Sequence, residues 1–298
     1  VLTAITQLLL RRTVRKWFDS EPDVKVIRRK LDRFVGSTDG MARGWHAVPD
    51  GAAGGGQLHL IVREGLPADA PLILYFHGGG YIVGGLASHG AFCSRLGQAV
   101  GGRVLFADYR LAPEHHFPAA LEDGIAALRH AGATASGRLF IAGDSAGGGL
   151  ALAVAQAAVA QQGAEGVRVP DGLILISPWT DLTLSGASMV ENAATDAMLS
   201  MKILTRMRAA YLGPQEPADR RASPLFDPNT HLPPTLLIYS DSEVLRDDST
   251  RLAENLRLGG TAVTERAYRG KPHVFPLFWS VPGAGRAVRD IEEFVGGK

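Results

Sequence analysis

Arg138-Leu-Phe-Ile-Ala142, followed at once by Gly143-Asp144-Ser145-Ala146-Gly147, is the stretch that decides how this chain folds. A short apolar run, then G-x-S-x-G, then an alanine-rich segment spells strand, tight turn and helix, the setting of a nucleophile elbow. The glycines permit close backbone packing around a strained turn. Ser145 is expected at the strand end with its hydroxyl exposed above a helix N-terminus. A phosphate cradle is the competing use of such a turn. It fares poorly because no G-x-x-x-x-G-K-[ST] occurs, and the Gly147-Gly148-Gly149 run has no lysine to reach a phosphate.

Working outward, apolar runs recur at Leu72–Phe76, Val104–Ala107, Leu139–Ala142, Leu173–Ile176 and Leu236–Tyr239. Short continuous runs of this kind read as strands buried on both faces. Helical stretches at Ala119–His130, Ala146–Gln162 and Ser249–Leu258 alternate with them, which predicts a doubly wound α/β fold: a mainly parallel sheet with helices on both sides. Gly44–Val48 and Gln57–Val62, separated by the glycine cluster at 51–56, predict an antiparallel hairpin beside it. Residues 1–35, and about 180–212 with Met198, Met201 and Met207, have no strand of their own. Both are expected as helices over the C-terminal edge of the sheet, where open α/β folds place ligands.

Composition narrows the function classes. The chain has 298 residues, enough for one large α/β domain, and 31 Lys and Arg against 30 Asp and Glu leave a net charge of +1. That balance suggests neither a nucleic-acid partner nor an acidic substrate. The single cysteine, Cys93, forms no internal disulfide and is expected as a small buried side chain; no Cys/His cluster has zinc-like spacing. The cytoplasm is the expected compartment. The apolar run at 1–10 precedes Arg11, Arg12, Arg15 and Lys16, the wrong charge order for a signal peptide, and it is too short to span a bilayer. A helix covering part of the protein is expected there, with an amphipathic membrane-surface helix as the alternative.

An activated serine needs a base, a group that orients the base, and donors for an oxyanion. His273, in Gly270-Lys-Pro-His-Val-Phe275 after the alternating segment Ala262–Tyr268, is the best placed of nine histidines. The acid is expected after the strand ending at Tyr239, where Ser240-Asp241-Ser-Glu243-Val-Leu-Arg-Asp247-Asp248 offers four carboxylates. Asp247 and Asp248 stand at a helix start and are expected to cap it, which leaves Asp241 and Glu243 as contenders. Backbone donors are expected from His77-Gly78-Gly79-Gly80-Tyr81, with the N–H of Ala146 as another.

Together these residues resemble the bacterial hormone-sensitive lipase family of α/β-hydrolase esterases. The resemblance is carried by His77-Gly-Gly-Gly-Tyr81, Asp108-Tyr-Arg-Leu-Ala-Pro-Glu114, Phe117-Pro-Ala-Ala120, Gly143-Asp-Ser-Ala-Gly147, Ser177-Pro-Trp-Thr-Asp181 and His273, from about residue 70 onward. It implies a catalytic domain over 36–298, with 1–35 as the first part of a helical cap and about 180–212 as the second. The family's acid opens a D-P-L-x-D pattern, and the matching stretch here is Glu243-Val-Leu-Arg-Asp247. The resemblance therefore assigns the acid to Glu243, a departure from aspartate, with Asp241 as the fallback. It implies oxyanion donors at Gly79, Gly80 and Ala146, with Gly78 shaping the turn. It places Arg110 and Glu114 in a polar network near the elbow, and makes His89, His115 and His116 surface or network residues.

The resemblance also implies the chemistry: acyl transfer from a small ester of short to medium acyl chain, through an acyl-enzyme on Ser145, without metal or organic cofactor. The same triad could serve an amide, a formyl-amide, or an acetylated sugar or antibiotic. A receptor built on this fold is the remote alternative, since a binder can dispense with the histidine. No stable membrane insertion is expected, and the resemblance is compatible with a homodimer.

Overall fold

The computed structural model describes residues 2–36, 40–228 and 230–297. Eight strands form one sheet: β1 (Trp45–Ala53), β2 (Gly56–Arg63), β3 (Leu72–Phe76), β4 (Arg103–Asp108), β5 (Leu139–Asp144), β6 (Gly172–Ile176), β7 (Thr235–Ser240) and β8 (Val263–Tyr268). Their spatial order is β1-β2-β4-β3-β5-β6-β7-β8. β2 pairs antiparallel with both β1 and β4, and every pairing from β4 through β8 is parallel. The hairpin runs further than the glycine cluster suggested, with a register shift between Pro49 and Ala52. The sheet's pairing absorbs glycines whose composition reads as loop.

Alternate residues of the central strands face opposite layers, as a period of two requires. Leu72, Leu74, Phe76, Ile141 and Leu175 pack with helices α5 (Ala119–Thr134), α6 (Ser145–Ala160) and α9 (Arg246–Leu258). Ile73, Tyr75, Phe140, Ile174 and Ile238 pack with α4 (Leu86–Val100) and α10 (Ala284–Gly296). Cys93 lies fully buried in that second layer. The N-terminal segment comprises α1 (Leu2–Leu10), a π-helical turn at Arg11–Arg15, α2 (Lys16–Ser20) and α3 (Val24–Gly36). The insertion before β7 carries α7 (Ser188–Glu191) and α8 (Met201–Leu212). Among the described residues, no helix is long and apolar enough to cross a membrane.

Two polar expectations are corrected. Asp247 and Asp248 do not cap α9. Asp248 Oδ2 accepts the backbone N–H groups of Thr180 and Asp181, and Asp247 Oδ2 accepts that of Ser188, so both carboxyls hold the loop after β6. Arg110 and Glu114 do not share a network. Arg110 is bound to the buried Asp123, while the exposed Glu114 takes two bonds from Arg28 of α3 at 2.9 and 2.8 Å. Sequence neighbours diverge here because the chain turns between them.

Asp248 is fully buried. Desolvation, followed by the charge of Asp181, pushes its carboxyl up to about 8 against the pull of its two N–H donors. An acid whose folded pKa lies above its unfolded value destabilises the fold as pH rises between the two. Chemical denaturation across pH 4 to 8 is therefore expected to show falling stability that flattens above about 8, and Asp248→Asn is expected to remove that slope. Asp248→Ala, which leaves two buried N–H groups without an acceptor, is expected to cost roughly 2–4 kcal/mol.

Candidate active site

The turn from β5 into α6 is built by what its glycines lack. A Cβ on Gly143 would lie 2.2 Å from the Gly147 carbonyl oxygen, and one on Gly147 would lie 2.1 Å from that of Phe76 and 2.4 Å from that of His77. Either contact is impossible without moving backbone. Between them Ser145 takes φ 51°, a left-handed conformation that a side-chain-bearing residue adopts at a cost. That conformation turns Ser145 Oγ out of the sheet edge towards His273, whose Nε2 lies 2.9 Å away.

His273 Nδ1 lies 2.5 Å from Glu243 Oε2. A carboxylate only accepts, so Nδ1–H is the donor and Nε2 faces the serine hydroxyl as an acceptor. Burial lowers the imidazole pKa, but the hydrogen bond and charge of Glu243 outweigh it and leave His273 above its ordinary 6.5. Glu243 Oε1 accepts the Ser240 N–H at 2.9 Å. Asp241, the rival, is exposed and accepts the Gly270 N–H at 2.8 Å, closing the turn that leads to the histidine. The other two carboxylates of this loop, Asp247 and Asp248, are engaged with the loop after β6.

Facing Ser145, the loop after β3 bends back at Gly79 (φ 116°) and Gly80 (φ 62°). The Gly79 carbonyl closes the bend by accepting the N–H groups of Ile82 and Val83. Gly78 N–H is already committed to Asp144 Oδ1 at 2.9 Å, which keeps it out of any donor role towards a ligand. Asp144 Oδ1 also accepts the Tyr75 hydroxyl at 2.7 Å and lies 3.4 Å from His89 Nε2. His89 is thus a buried network residue, whereas His115 and His116 are exposed.

Three further contributors have no place in the sequence pattern of a triad. Asn192 Nδ2 donates to the carbonyls of Asp241 and Glu243, and Asp196 Oδ2 accepts the Val244 N–H, so the insertion before β7 braces the loop that carries Glu243. Trp179, buried after β6, donates its backbone N–H to the Ser145 carbonyl. No sequence signal marks Asn192 or Asp196, because an Asn or Asp in a loop has many local uses. Trp179 does carry a signal, as the centre of Ser177-Pro-Trp-Thr-Asp181, but that motif does not disclose its contact with the elbow.

Above Ser145 opens a largely apolar cavity of about 480 Å³. Gly79, Gly80, Trp179 and His273 line its lower part, and the roof comes from both extra segments: Leu10, Val14 and Phe18 from the N-terminal helices, Met198, Leu204 and Met207 from the insertion. These segments are stitched together. Arg206 and Lys202 of α8 donate to the carbonyls of Phe18 and Asp19, and Arg15 donates to that of Asp196.

Comparison with known proteins places the chain in a family. Residues 73–277 match a family described as having the alpha/beta hydrolase fold. An acetyl-hydrolase of Streptomyces hygroscopicus is 38% identical over 225 residues, 75% of this chain and 74% of that protein. An esterase of Acinetobacter venetianus is 38% identical over 229 residues, with the same shares covered. Among solved structures, an esterase from the bacterial hormone-sensitive lipase family superimposes with a TM-score of 0.88 at 31% identity, covering 97% of this chain and 96% of the other. With an eight-stranded α/β-hydrolase sheet and relatives that are esterases, this chain is a carboxylic ester hydrolase and belongs to the hormone-sensitive lipase family.

Proposed function

We propose that the ester is cleaved by two-step acyl transfer on Ser145, with His273 as general base and Glu243 as the acid that orients it. The observation that carries this is one imidazole reaching Ser145 Oγ with Nε2 and Glu243 with Nδ1, at 2.9 and 2.5 Å. Ser145 attacks the ester carbonyl as His273 takes its proton, and Glu243 stabilises the imidazolium. The developing oxyanion is held by N–H groups of Gly79, Gly80 and Ala146; one such donor is worth ~3 kcal/mol in a transition state. His273 returns the proton to the departing alcohol, then activates the water that releases the acid.

Residues 1–35 and about 180–212 act as a two-part cap on a catalytic domain formed by 36–298, a reading supported by their shared roof and the ties between them. An apolar space of about 480 Å³ favours short to medium acyl chains. The relative named acetyl-hydrolase makes acetyl the first acyl group to compare with butyryl and octanoyl.

Rapid mixing with a chromogenic ester is expected to show a burst of alcohol followed by turnover, both absent in Ser145→Ala. Glu243→Gln is expected to lose ~10⁴ in turnover, while Asp241→Asn, which weakens only a turn, stays within ~10-fold of wild type. The reverse ranking would move the acid role to Asp241. Because the base must be neutral, kcat/KM is expected to rise with pH, with its midpoint above 6.5. A Glu243→Gln variant, deprived of the charge that raises the histidine, is expected to shift its residual midpoint downward.

A further inference from the structure

Seven large apolar side chains are strongly exposed among the described residues; three of them lie on α1, Ile5 (50%), Leu8 (49%) and Leu9 (53%), and a fourth, Trp279 (49%), lines the same cavity as Leu9. Leu9 and Trp279 both line the cavity above Ser145, whereas Ile5 and Leu8 do not touch it and extend the exposed apolar face of α1 outward from Leu9. Gln7 donates to the Gly270 carbonyl, which seats α1 against the loop leading to His273. Exposed apolar groups scattered singly need no explanation, but a cluster beside a cavity mouth marks a contact surface.

The helical run beside it is basic, although Arg15 lies 3.8 Å from Asp19 and the exposed Asp241 holds the Gly270 turn that Gln7 touches. Residues 1–18 include Arg11, Arg12, Arg15 and Lys16 and no acidic residue, Asp19 being the first. Ile5, Leu8, Arg12 and Lys16 follow one another at three- and four-residue steps along the helical run, which puts them on one outward side; Arg12 and Lys16 are exposed. Arg11 is also exposed and donates only to the neutral carbonyls of Ala194 and Thr195, so its charge is not cancelled there. Across the mouth, the Arg95 guanidinium lies 5.3 Å from the centre of the Trp279 ring. The inward side is satisfied separately, since Leu10, Val14 and Phe18 are buried in the roof.

We propose that this face docks on an anionic lipid bilayer, with Ile5, Leu8 and Trp279 in the interfacial layer, Arg12 and Lys16 against anionic headgroups, and the cavity mouth turned to the lipid. Aliphatic and tryptophan side chains next to unopposed cations are the composition that peripheral helices use at such surfaces. A polar protein partner would leave the apolar face unsatisfied, and a purely apolar one would strand the cations. Docking of this kind goes beyond the hydrolytic mechanism and does not depend on it. It would bring the enzyme to esters dissolved in membranes, which enter the mouth without crossing water.

The test is co-sedimentation of the Ser145→Ala protein, which leaves lipid intact, with phosphatidylcholine vesicles and with vesicles containing roughly one-third phosphatidylglycerol. Binding is expected on the anionic vesicles, weakening steeply in high salt. Arg12→Gln with Lys16→Gln is expected to weaken it by about 30-fold, the loss of one attraction of ordinary size for each of the two cations. Ile5→Ser with Leu8→Ser is expected to weaken it without changing the salt dependence. Introduced into active enzyme, both pairs should leave kcat/KM on a water-soluble ester at the wild-type value, which shows that they fold. Equal recovery on the two vesicle types would overturn the proposal. So would absence of vesicle binding together with self-association in sedimentation velocity that the same substitutions abolish, which would assign the face to a second copy of the chain.

Discussion

Asp144 is the buried carboxylate on which the geometry around Ser145 depends. It ends β5 immediately before the serine, and one oxygen gathers the Gly78 N–H, the Tyr75 hydroxyl and the nearby His89 ring. A charge withdrawn from water is stable only when such donors surround it. Desolvation is the largest influence on its pKa and works to raise it, yet the combined pull of His89, Tyr75 and Gly78 keeps it below its ordinary value. The consequence is mechanical. The elbow and the loop carrying Gly79 and Gly80 are tied to one atom, so the serine and its facing amides share a frame.

A second frame comes from missing atoms. Gly143 and Gly147 let α6 and the loop after β3 approach to distances no Cβ would permit, and Ser145 is held in a left-handed conformation between them. Close packing transmits this constraint without further hydrogen bonds, since a well-packed interior yields little to a displaced methyl group. The histidine is buried too, and its alignment relies on charge. Its ring is aligned by Glu243, whose own loop is braced by Asn192 and Asp196 from the insertion.

That bracing links the roof to the Glu243–His273 pair. The same insertion supplies the cavity's upper wall, anchors the N-terminal helices through Arg206 and Lys202, and fixes the loop that carries Glu243. Movement of the roof would therefore reach the Glu243–His273 pair as well as the cavity. Arg28 of α3 adds an independent tie, donating to the carbonyls of Ile82 and Ala112 and to Glu114 beside the Gly79 loop.

Much of the architecture was legible along the chain because it depends on local pattern. The runs at Leu72–Phe76, Leu139–Ala142 and Leu236–Tyr239 became β3, β5 and β7, since short uninterrupted apolar runs rich in branched and aromatic residues suit strands covered on both sides. The serine's setting was legible for the same reason, as the glycine spacing of a sharp turn is a local steric demand. The partners of charged residues were not. Arg110 and Glu114 lie four positions apart yet serve different elements, and Asp247 and Asp248 hold a loop far away in sequence. Among four carboxylates within eight residues, composition alone left Asp241 and Glu243 level. What put Glu243 against His273 and Asp241 on the Gly270 N–H was the path of the chain after β7, set by contacts with an insertion some fifty residues earlier. By itself the sequence determined the strands, the elbow and the set of candidate groups, because these follow from side-chain volume, polarity and backbone sterics over a few residues. Only the tertiary structure decided which carboxylate meets the histidine and which helices roof the serine, because a long-range contact is selected by the packing of the whole chain.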